Sequence, residues 1–429
     1  MRNENQQSCR QSECRWHTAA LLTICLLAVC AFLPTFRNGF QMEWDDQWMV
    51  MNPLTVSRLD WHTLASILTT RSHGQWAPVN QLLYTLLFQA GGYSPMLFHA
   101  TSLVMHLANA ALLYTGLWML LADVTPLSAS RRGWIAFITT LLFAVHPLQV
   151  ESVAWVSASK TLLSTLFYLL GTVMLLMHLR GRGWCWYAGT MAMMVLSYMS
   201  KEQSVVFPLL ATLVYVWYGH RPRERRFWQG LAPLYVLALL MGLHEVFWVA
   251  SYHLYIGGDT YAWWQRLFFC FYSLVTYVFK WVCPTGLSWM YLFPMGLGEP
   301  MPMWLVLYPV LLVVLACSLG GWLRKGYVLS SLAFFLIHLL LVLHITVLPR
   351  AAVVADRYMY VPIIGLNFLL AYALTGSVIW ARCRRGCVVA LAMVALACVV
   401  VSYDRTGDWS DTRTLRNPSL TTKSVATQE

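Results

Sequence analysis

Apolar runs begin near His17 and recur along the chain, separated by short polar segments. Eleven read as membrane spans, near 17–36, 96–121, 133–148, 156–179, 184–200, 203–218, 229–250, 303–323, 327–348, 358–380 and 386–403. Those at 133–148, 184–200 and 203–218 fall short of the roughly 20 residues a straight helix needs to cross the hydrocarbon, so they require a thinned bilayer or a cavity. The stretch 267–279, closed by Arg266 and Lys280, is shorter again and predicts an in-plane or re-entrant helix. The expected fold is an all-α polytopic membrane protein of about 11 transmembrane helices, with a long first extracytoplasmic loop that carries surface helices.

Basic residues orient these spans. With eleven spans and an inner N-terminus, the inner segments hold Arg2/Arg10/Arg15, Arg131/Arg132, Arg180/Arg182, Arg221/Arg223/Arg225/Arg226, Arg324/Lys325 and Arg382/Arg384/Arg385, sixteen of the 29 basic residues. Counting 267–279 as a twelfth span would move the Arg324/Lys325 loop outside, so eleven is preferred. The expected organisation is a cytoplasmic N-terminus at 1–16, a membrane domain at 17–403 whose first outer loop is 37–95, and a short outer tail at 404–429. No repeat period or interdomain linker is visible.

Composition agrees: 59% of residues are hydrophobic and 11% charged, and mean hydropathy is +0.57. The net charge of +11 lies in clusters between spans, as topology signals do, and does not point to nucleic acid. The 11 cysteines are scattered without CxxC or zinc-type spacing, so neither a disulfide framework nor a metal knuckle is supported. Leu27-Ala28-Val29-Cys30 resembles a lipoprotein cleavage box, but Val29 stands where a small residue is required, which favours a retained signal anchor.

In so uncharged a chain, polar clusters are informative, and on this topology four converge on the outer face. The first loop carries Asp45-Asp46, then Trp76-Ala77-Pro78 and a surface helix over 79–89. The turn between spans three and four runs from His146-Pro147 through Glu151 to Ala154-Trp155, with Lys160 about 13 Å deeper if the stretch is helical. Ser200-Lys201-Glu202 forms the next outer turn, and Asp356-Arg357-Tyr358-Met359-Tyr360 precedes span ten. Each has a duller reading: solvated loop acids, an adjacent pair at Lys201-Glu202, a local ion pair at Asp356-Arg357, a helix break at His146-Pro147. Lys160 is a functional candidate as an intramembrane cation, or a snorkelling or ion-paired side chain. His99, His106 and His244-Glu245 read as satisfied interior polar groups. Together the clusters describe the rim of one cavity.

In this order, Asp45-Asp46, Trp76/Pro78, the His146-Pro147…Glu151…Ala154-Trp155…Lys160 block, Ser200-Lys201-Glu202 and Asp356-Arg357-Tyr358…Tyr360 resemble the membrane domain of the transmembrane-and-TPR-containing O-mannosyltransferases and their bacterial relatives, in the GT-C superfamily. The resemblance implies a GT-C-like fold and inverting transfer of a sugar, mannose by analogy, from a polyprenyl-phosphate carrier to an acceptor hydroxyl on a protein or glycan at the extracytoplasmic face. It also implies that the first-loop acid is the catalytic base or orients the acceptor. Asp45 is the expected base, and Asp46 orients the acceptor or helps hold a cation if one is used. Lys201 and Arg357 can hold the departing phosphate, the spans supply a groove for the lipid tail, and Trp76, His146, Glu151, Trp155, Lys160, Glu202, Asp356, Tyr358 and Tyr360 are candidates for the cavity lining. Beyond the lipid-linked donor no cofactor is expected, and a divalent metal is left open.

Such proteins usually continue into tetratricopeptide repeats, whereas the 26 residues from Asp404 are fewer than the roughly 34 of one repeat. No N-x-[ST] sequon is present, since Asn417-Pro418-Ser419 is blocked by proline, which favours a bacterial cytoplasmic membrane over the endoplasmic reticulum. The competing readings are a lipid or solute transporter or flippase, which would explain Lys160 but usually shows internal repeats and broken helices, and a non-catalytic membrane scaffold.

Overall fold

The computed structural model describes residues 2–71, 74–256, 261–345 and 352–416. Helices dominate, and among the described residues no strand forms beyond one isolated bridge between Tyr291 and Val354. The chain opens with α1 (Arg2–Phe32) and enters the first loop, which folds into α2 (Asp46–Met49), α3 (Pro53–Val56), α4 (Trp61–Thr69) and α5 (Pro78–Gly91). These short helices start where the sequence supplies caps. The Asn52 side chain accepts from the amides of Leu54 and Thr55, and Asp60 accepts from Thr63. Pro78 begins α5, where its missing N–H has no helical partner to lose.

Next come α6 (Pro95–Val124), α7 (Ala129–Val145), α8 (Val150–Ala154), α9 (Ser159–Leu179), α10 (Trp184–Ser200), α11 (Phe207–Trp217) and α12 (Arg225–Ile256). α7 stops one residue before His146-Pro147 and the chain turns by 55° into the 147–154 segment, because proline disfavours helix in the residue before it. α13 (Trp263–Val282) extends the expected in-plane stretch at both ends to 20 residues and buries one face of Phe269, Ser273 and Tyr277. The remaining helices are α14 (Leu307–Ser318), α15 (Gly320–Leu323), α16 (Gly326–Leu339), α17 (Ile363–Thr375), α18 (Val378–Arg382), α19 (Arg384–Asp408) and α20 (Thr412–Arg416).

This is an all-α polytopic membrane protein. Among the described residues five helices have the length and composition of a membrane span, six if the bent α7–α8 pair is one. The expected spans at 203–218, 303–323, 327–348 and 358–380 fall on shorter apolar helices of 10–17 residues, and the one at 184–200 coincides with α10.

The centre is built from α6, α7, α9 and α17, with α1 and α19 packed on α7, α10 on α9, and α16 on α17. Gly365 sets the α16–α17 approach, since a Cβ there would lie 2.6 Å from the Ser331 carbonyl oxygen. Two interior histidines are paired: His106 bonds the Tyr360 hydroxyl (2.8 Å) and the Ala144 carbonyl (3.0 Å), and His99 bonds Thr35 (3.3 Å) and the Gly39 carbonyl (3.2 Å).

The end of α19 closes over the start of the first loop. Asn38 Nδ2 donates to the Thr406 carbonyl (2.9 Å), Gly39 N to Ser410 (2.8 Å) and Gln41 Nε2 to Trp409 (2.8 Å). This polar strap holds the segment leading to Asp45-Asp46.

Candidate active site

The two adjacent acids have different surroundings. Asp46 is fully buried: one carboxylate oxygen accepts from the backbone N–H and the hydroxyl of Ser157, the other from the Gln41 amide at 2.8 Å. It pins the first loop to the turn before α9. Burial pushes its carboxyl up to about 6, although those hydrogen bonds pull the other way. Asp45 precedes α2 without a capping bond from its side chain, is half-buried, and its negative charge acts on both Lys160 and Arg357.

The cations come from three other segments. Arg357 donates its backbone N–H to one Glu151 oxygen at 2.7 Å and its guanidinium to the other. Glu151 has no exposed surface, while 21% of the Arg357 side chain remains exposed. The guanidinium lies over the rings of Trp155 (5.3 Å) and Tyr358 (5.0 Å). Lys201, buried at the end of α10, donates to the Thr161 hydroxyl at 2.8 Å, with its ammonium 5.7 Å from the centre of the Tyr358 ring. Lys160 reaches back to the Gln75 side chain of the first loop. Glu202 is exposed, and its charge acts on Lys160 and Lys201.

Other candidates hold the frame. Asp356 does not pair with its neighbour Arg357. It is buried between the Tyr291 hydroxyl (2.8 Å) and the guanidinium of Arg405 on α19, because Arg357 is turned toward Glu151. His146 caps the turn after α7 by accepting from the Leu148 amide (3.2 Å), and its other nitrogen meets the Trp281 carbonyl (3.0 Å). Tyr360 points into the interior, where His106 and Asn109 hold its hydroxyl. Trp76 leaves the group: its indole donates to the Leu68 carbonyl (2.9 Å) and packs on Tyr198 and His244. Trp155 stacks on Trp44 with ring centres 4.3 Å apart, and Trp409 stacks on both. The residue just before Asp45 is therefore fixed by an aromatic pile reaching from the α8–α9 turn to the end of α19. Sequence reasoning missed Gln75, Ser157, Trp44, Trp409 and Arg405. The density of tryptophan around Asp45 was the available signal for Trp44, whereas Arg405 lies in a stretch that reads as polar tail.

Two cavities with one wall in common lie beside this group. One, of about 50 Å³, is lined by Lys201, Arg357, Tyr358 and hydroxyls including Thr161, Ser164 and Ser204. The other, of about 110 Å³, is almost wholly apolar and lies among α6, α9, α11, α16 and α17. Tyr168 lines both, its hydroxyl bonded to His338 at 2.8 Å. Among the described residues no cluster of three His, Cys, Asp or Glu side chains could hold a metal ion.

Asp46→Asn separates the two acids. An amide at 46 can still accept from Ser157 but turns an N–H toward the Gln41 amide, leaving a buried donor unpaired at a cost of about 1–3 kcal/mol. The pH dependence has a definite sign. A carboxyl raised from its ordinary range to about 6 contributes stability that is complete near pH 4 and lost as pH rises through 6, on the order of 3 kcal/mol. Wild-type protein in nanodiscs is expected to lose stability between pH 4 and 6, and Asp46→Asn to flatten that slope. Thermal melts across this range check it; identical slopes would exclude Asp46 as the source.

No family model matches the chain. Among curated proteins it is similar to the protein O-mannosyl-transferase Tmtc1 of Drosophila melanogaster, 28% identical over 205 residues, covering 46% of this chain and 22% of that protein. It is similar to the protein O-mannosyl-transferase TMTC2 of Homo sapiens, 26% identical over 197 residues, covering 44% of this chain and 22% of that protein. The match to the protein O-mannosyl-transferase F38B6.6 of Caenorhabditis elegans runs over 93% of this chain and 57% of that protein, at 24% identity. The curated relatives are thus the proteins that the motif order pointed to, and the chain spans less than two thirds of each of these three. An oligosaccharyltransferase structure from Archaeoglobus fulgidus covers 92% of this chain and 55% of that chain at 13% identity and a TM-score of 0.40, a likeness too distant to bear on activity.

Proposed function

We propose that this chain is a membrane glycosyltransferase that moves a sugar, mannose by the name its relatives carry, from a polyprenyl-phosphate carrier to a hydroxyl on an acceptor protein, with inversion, on the non-cytoplasmic face of a bacterial cytoplasmic membrane. The observation that carries this reading is a cation-lined cavity and an apolar cavity that share Tyr168 as a wall, with the charge of half-buried Asp45 acting on Arg357 in the first. A lipid phosphate needs that pairing: positive charge for the head and apolar walls for the tail. The acceptor oxygen attacks the anomeric carbon and its proton passes to Asp45. The bond from that carbon to the phosphate oxygen breaks, and polyprenyl phosphate departs against Lys201 and Arg357. A single displacement inverts the centre and requires no covalent enzyme intermediate.

Lys201 gives the cleaner test of the phosphate site, because a hydroxyl rather than a carboxylate holds its ammonium. Burial drives the Lys201 ammonium down to about 7; Glu202 opposes this, and the charges of Lys160 and Arg357 add to it. A sugar-linked polyprenyl phosphate is a phosphodiester whose charge is constant between pH 6 and 9. Donor affinity is therefore expected to weaken as pH rises above about 7, where the free enzyme loses the lysine proton. Lys201→Met should weaken donor binding about ten- to a hundredfold at pH 6.5 and flatten the pH profile, as loss of a charge-assisted contact worth about 1.5–3 kcal/mol requires. Binding of a fluorescent polyprenyl-phosphate sugar to protein in nanodiscs measures both. Unchanged affinity in a well-folded Lys201→Met protein would remove the phosphate assignment.

A further inference from the structure

A third cavity, of about 360 Å³, lies within the first loop, between α4, α5 and the α2–α3 turn. We infer that it receives an uncharged, extended segment of the acceptor polypeptide, an assignment that rests on the glycosyltransferase reading and names the kind of acceptor.

Position is the first argument. Met49, at the far end of α2, forms one wall, and its amide donates to the Asp45 carbonyl at 2.7 Å. One wall of the cavity therefore stands a single helical turn of backbone from the residue proposed as base. Gln75 forms another wall and is the side chain that receives Lys160. A chain lying here runs between the turn that carries Asp45 and the Gln75 side chain that meets Lys160, close to where an acceptor hydroxyl must be presented.

The lining supplies the second argument. Among the described residues that face the cavity none is charged. Apolar walls from Pro53, Leu54 and Ile67 alternate with amides and hydroxyls from Gln75, Asn80 and Thr70. Such a surface gives nothing to compensate a charged ligand, which would lose its hydration on entry. It also lacks the carboxylates that commonly clamp sugar hydroxyls, whereas side-chain amides suit peptide N–H and C=O groups.

Asn80 supplies the third. It has no exposed surface, its carbonyl oxygen accepts from Ser159 at 3.5 Å, and its Nδ2 makes no well-formed hydrogen bond, only a loose one toward the Tyr84 hydroxyl. Neighbouring polar groups on the same wall are committed: Asn52 bonds Gln81, Gln81 bonds Thr55, and the Tyr84 hydroxyl bonds the Val156 carbonyl. A buried amide donor so poorly paired beside a cavity is better satisfied by an acceptor from outside, and a peptide carbonyl is one.

The test uses full-length protein in nanodiscs and a fluorescent, end-blocked peptide of Ala and Thr, whose binding is read by anisotropy independently of turnover. Thr70→Trp and Ser66→Trp each place a ring in the cavity from α4 or its end and should weaken peptide binding at least tenfold. Asn80→Leu should weaken it several-fold. None of the three should move affinity for the polyprenyl-phosphate sugar. Replacing the alanines with Lys or with Glu should weaken wild-type binding at least tenfold. Unchanged peptide affinity in both tryptophan variants overturns the assignment, as does binding of a neutral oligosaccharide in place of the peptide. Peptide binding that the tryptophans abolish, in a protein that never transfers sugar, supports this cavity and instead overturns the glycosyltransferase reading.

Discussion

Asp45→Asn is expected to lower sugar transfer by a factor of about 10²–10⁴ while leaving donor and acceptor binding nearly unchanged, the signature of a lost general base. The neighbouring acid cannot take the part. Asp46 is sealed from solvent and its oxygens already receive three donors from Gln41 and Ser157, so no acceptor hydroxyl can reach it without dismantling the loop. Asp45 is half-buried just before a four-residue helix that its side chain does not cap, and its charge acts on Lys160 and Arg357. Its place is held from both sides: Trp44 before it is stacked on Trp155 and Trp409, and Asp46 after it is pinned to Ser157. Asparagine keeps the volume and removes the proton-accepting charge. Single-turnover transfer with preformed donor complex, in protein whose melting matches wild type, measures the chemical step. Near-normal single-turnover rates in Asp45→Asn would sink the assignment, and Asp46→Asn could not stand in for it, since its expected effect is on folding.

Helix placement was legible because lipid leaves one solution for each apolar run: a helix that satisfies its own backbone. The positive-inside rule predicts that Asp45-Asp46, Glu151, Lys201 and Arg357 share one face; the structure puts Glu151 in contact with Arg357 and the Asp45 charge within reach of it. Partner choice was not legible. Asp356-Arg357 reads as a local pair, yet adjacent side chains at the start of a helical turn diverge; one goes to Arg405 on α19 and the other to Glu151 on α8. Trp76 reads as part of the rim but belongs to a packing group with Tyr198 and His244, because the loop carrying it crosses to α10 and α12. Gln75 beside it, an unremarkable residue in sequence, is the one that meets Lys160. Pairings of this kind depend on how loops from distant segments lie across one another, which periodicity does not record.

The Glu151–Arg357 pair is expected to show the largest effect on stability. Glu151 has no exposed surface, and both its oxygens face Arg357, one at the backbone amide and one at the guanidinium. Breaking a buried pair from one side leaves the other charge without compensation, at a cost of about 3–5 kcal/mol. Glu151→Gln and Arg357→Met should therefore each lower stability by about that much. The double substitution should be less damaging than the two singles added together, because the second change removes the charge the first one stranded. Chemical denaturation of the four proteins in matched lipid or detergent measures the coupling. This also decides how Arg357 can be used as evidence for the phosphate site: Arg357→Met loses transfer through folding as well as through any contact with donor. The double variant isolates the second effect. If it regains stability but binds donor at least tenfold more weakly, the exposed part of the guanidinium is a phosphate contact; if donor binding recovers with stability, Arg357 is a structural partner of Glu151 and Lys201 holds the phosphate without it. Strict additivity of the two single effects would mean that the pair is not coupled, against the geometry of both hydrogen bonds.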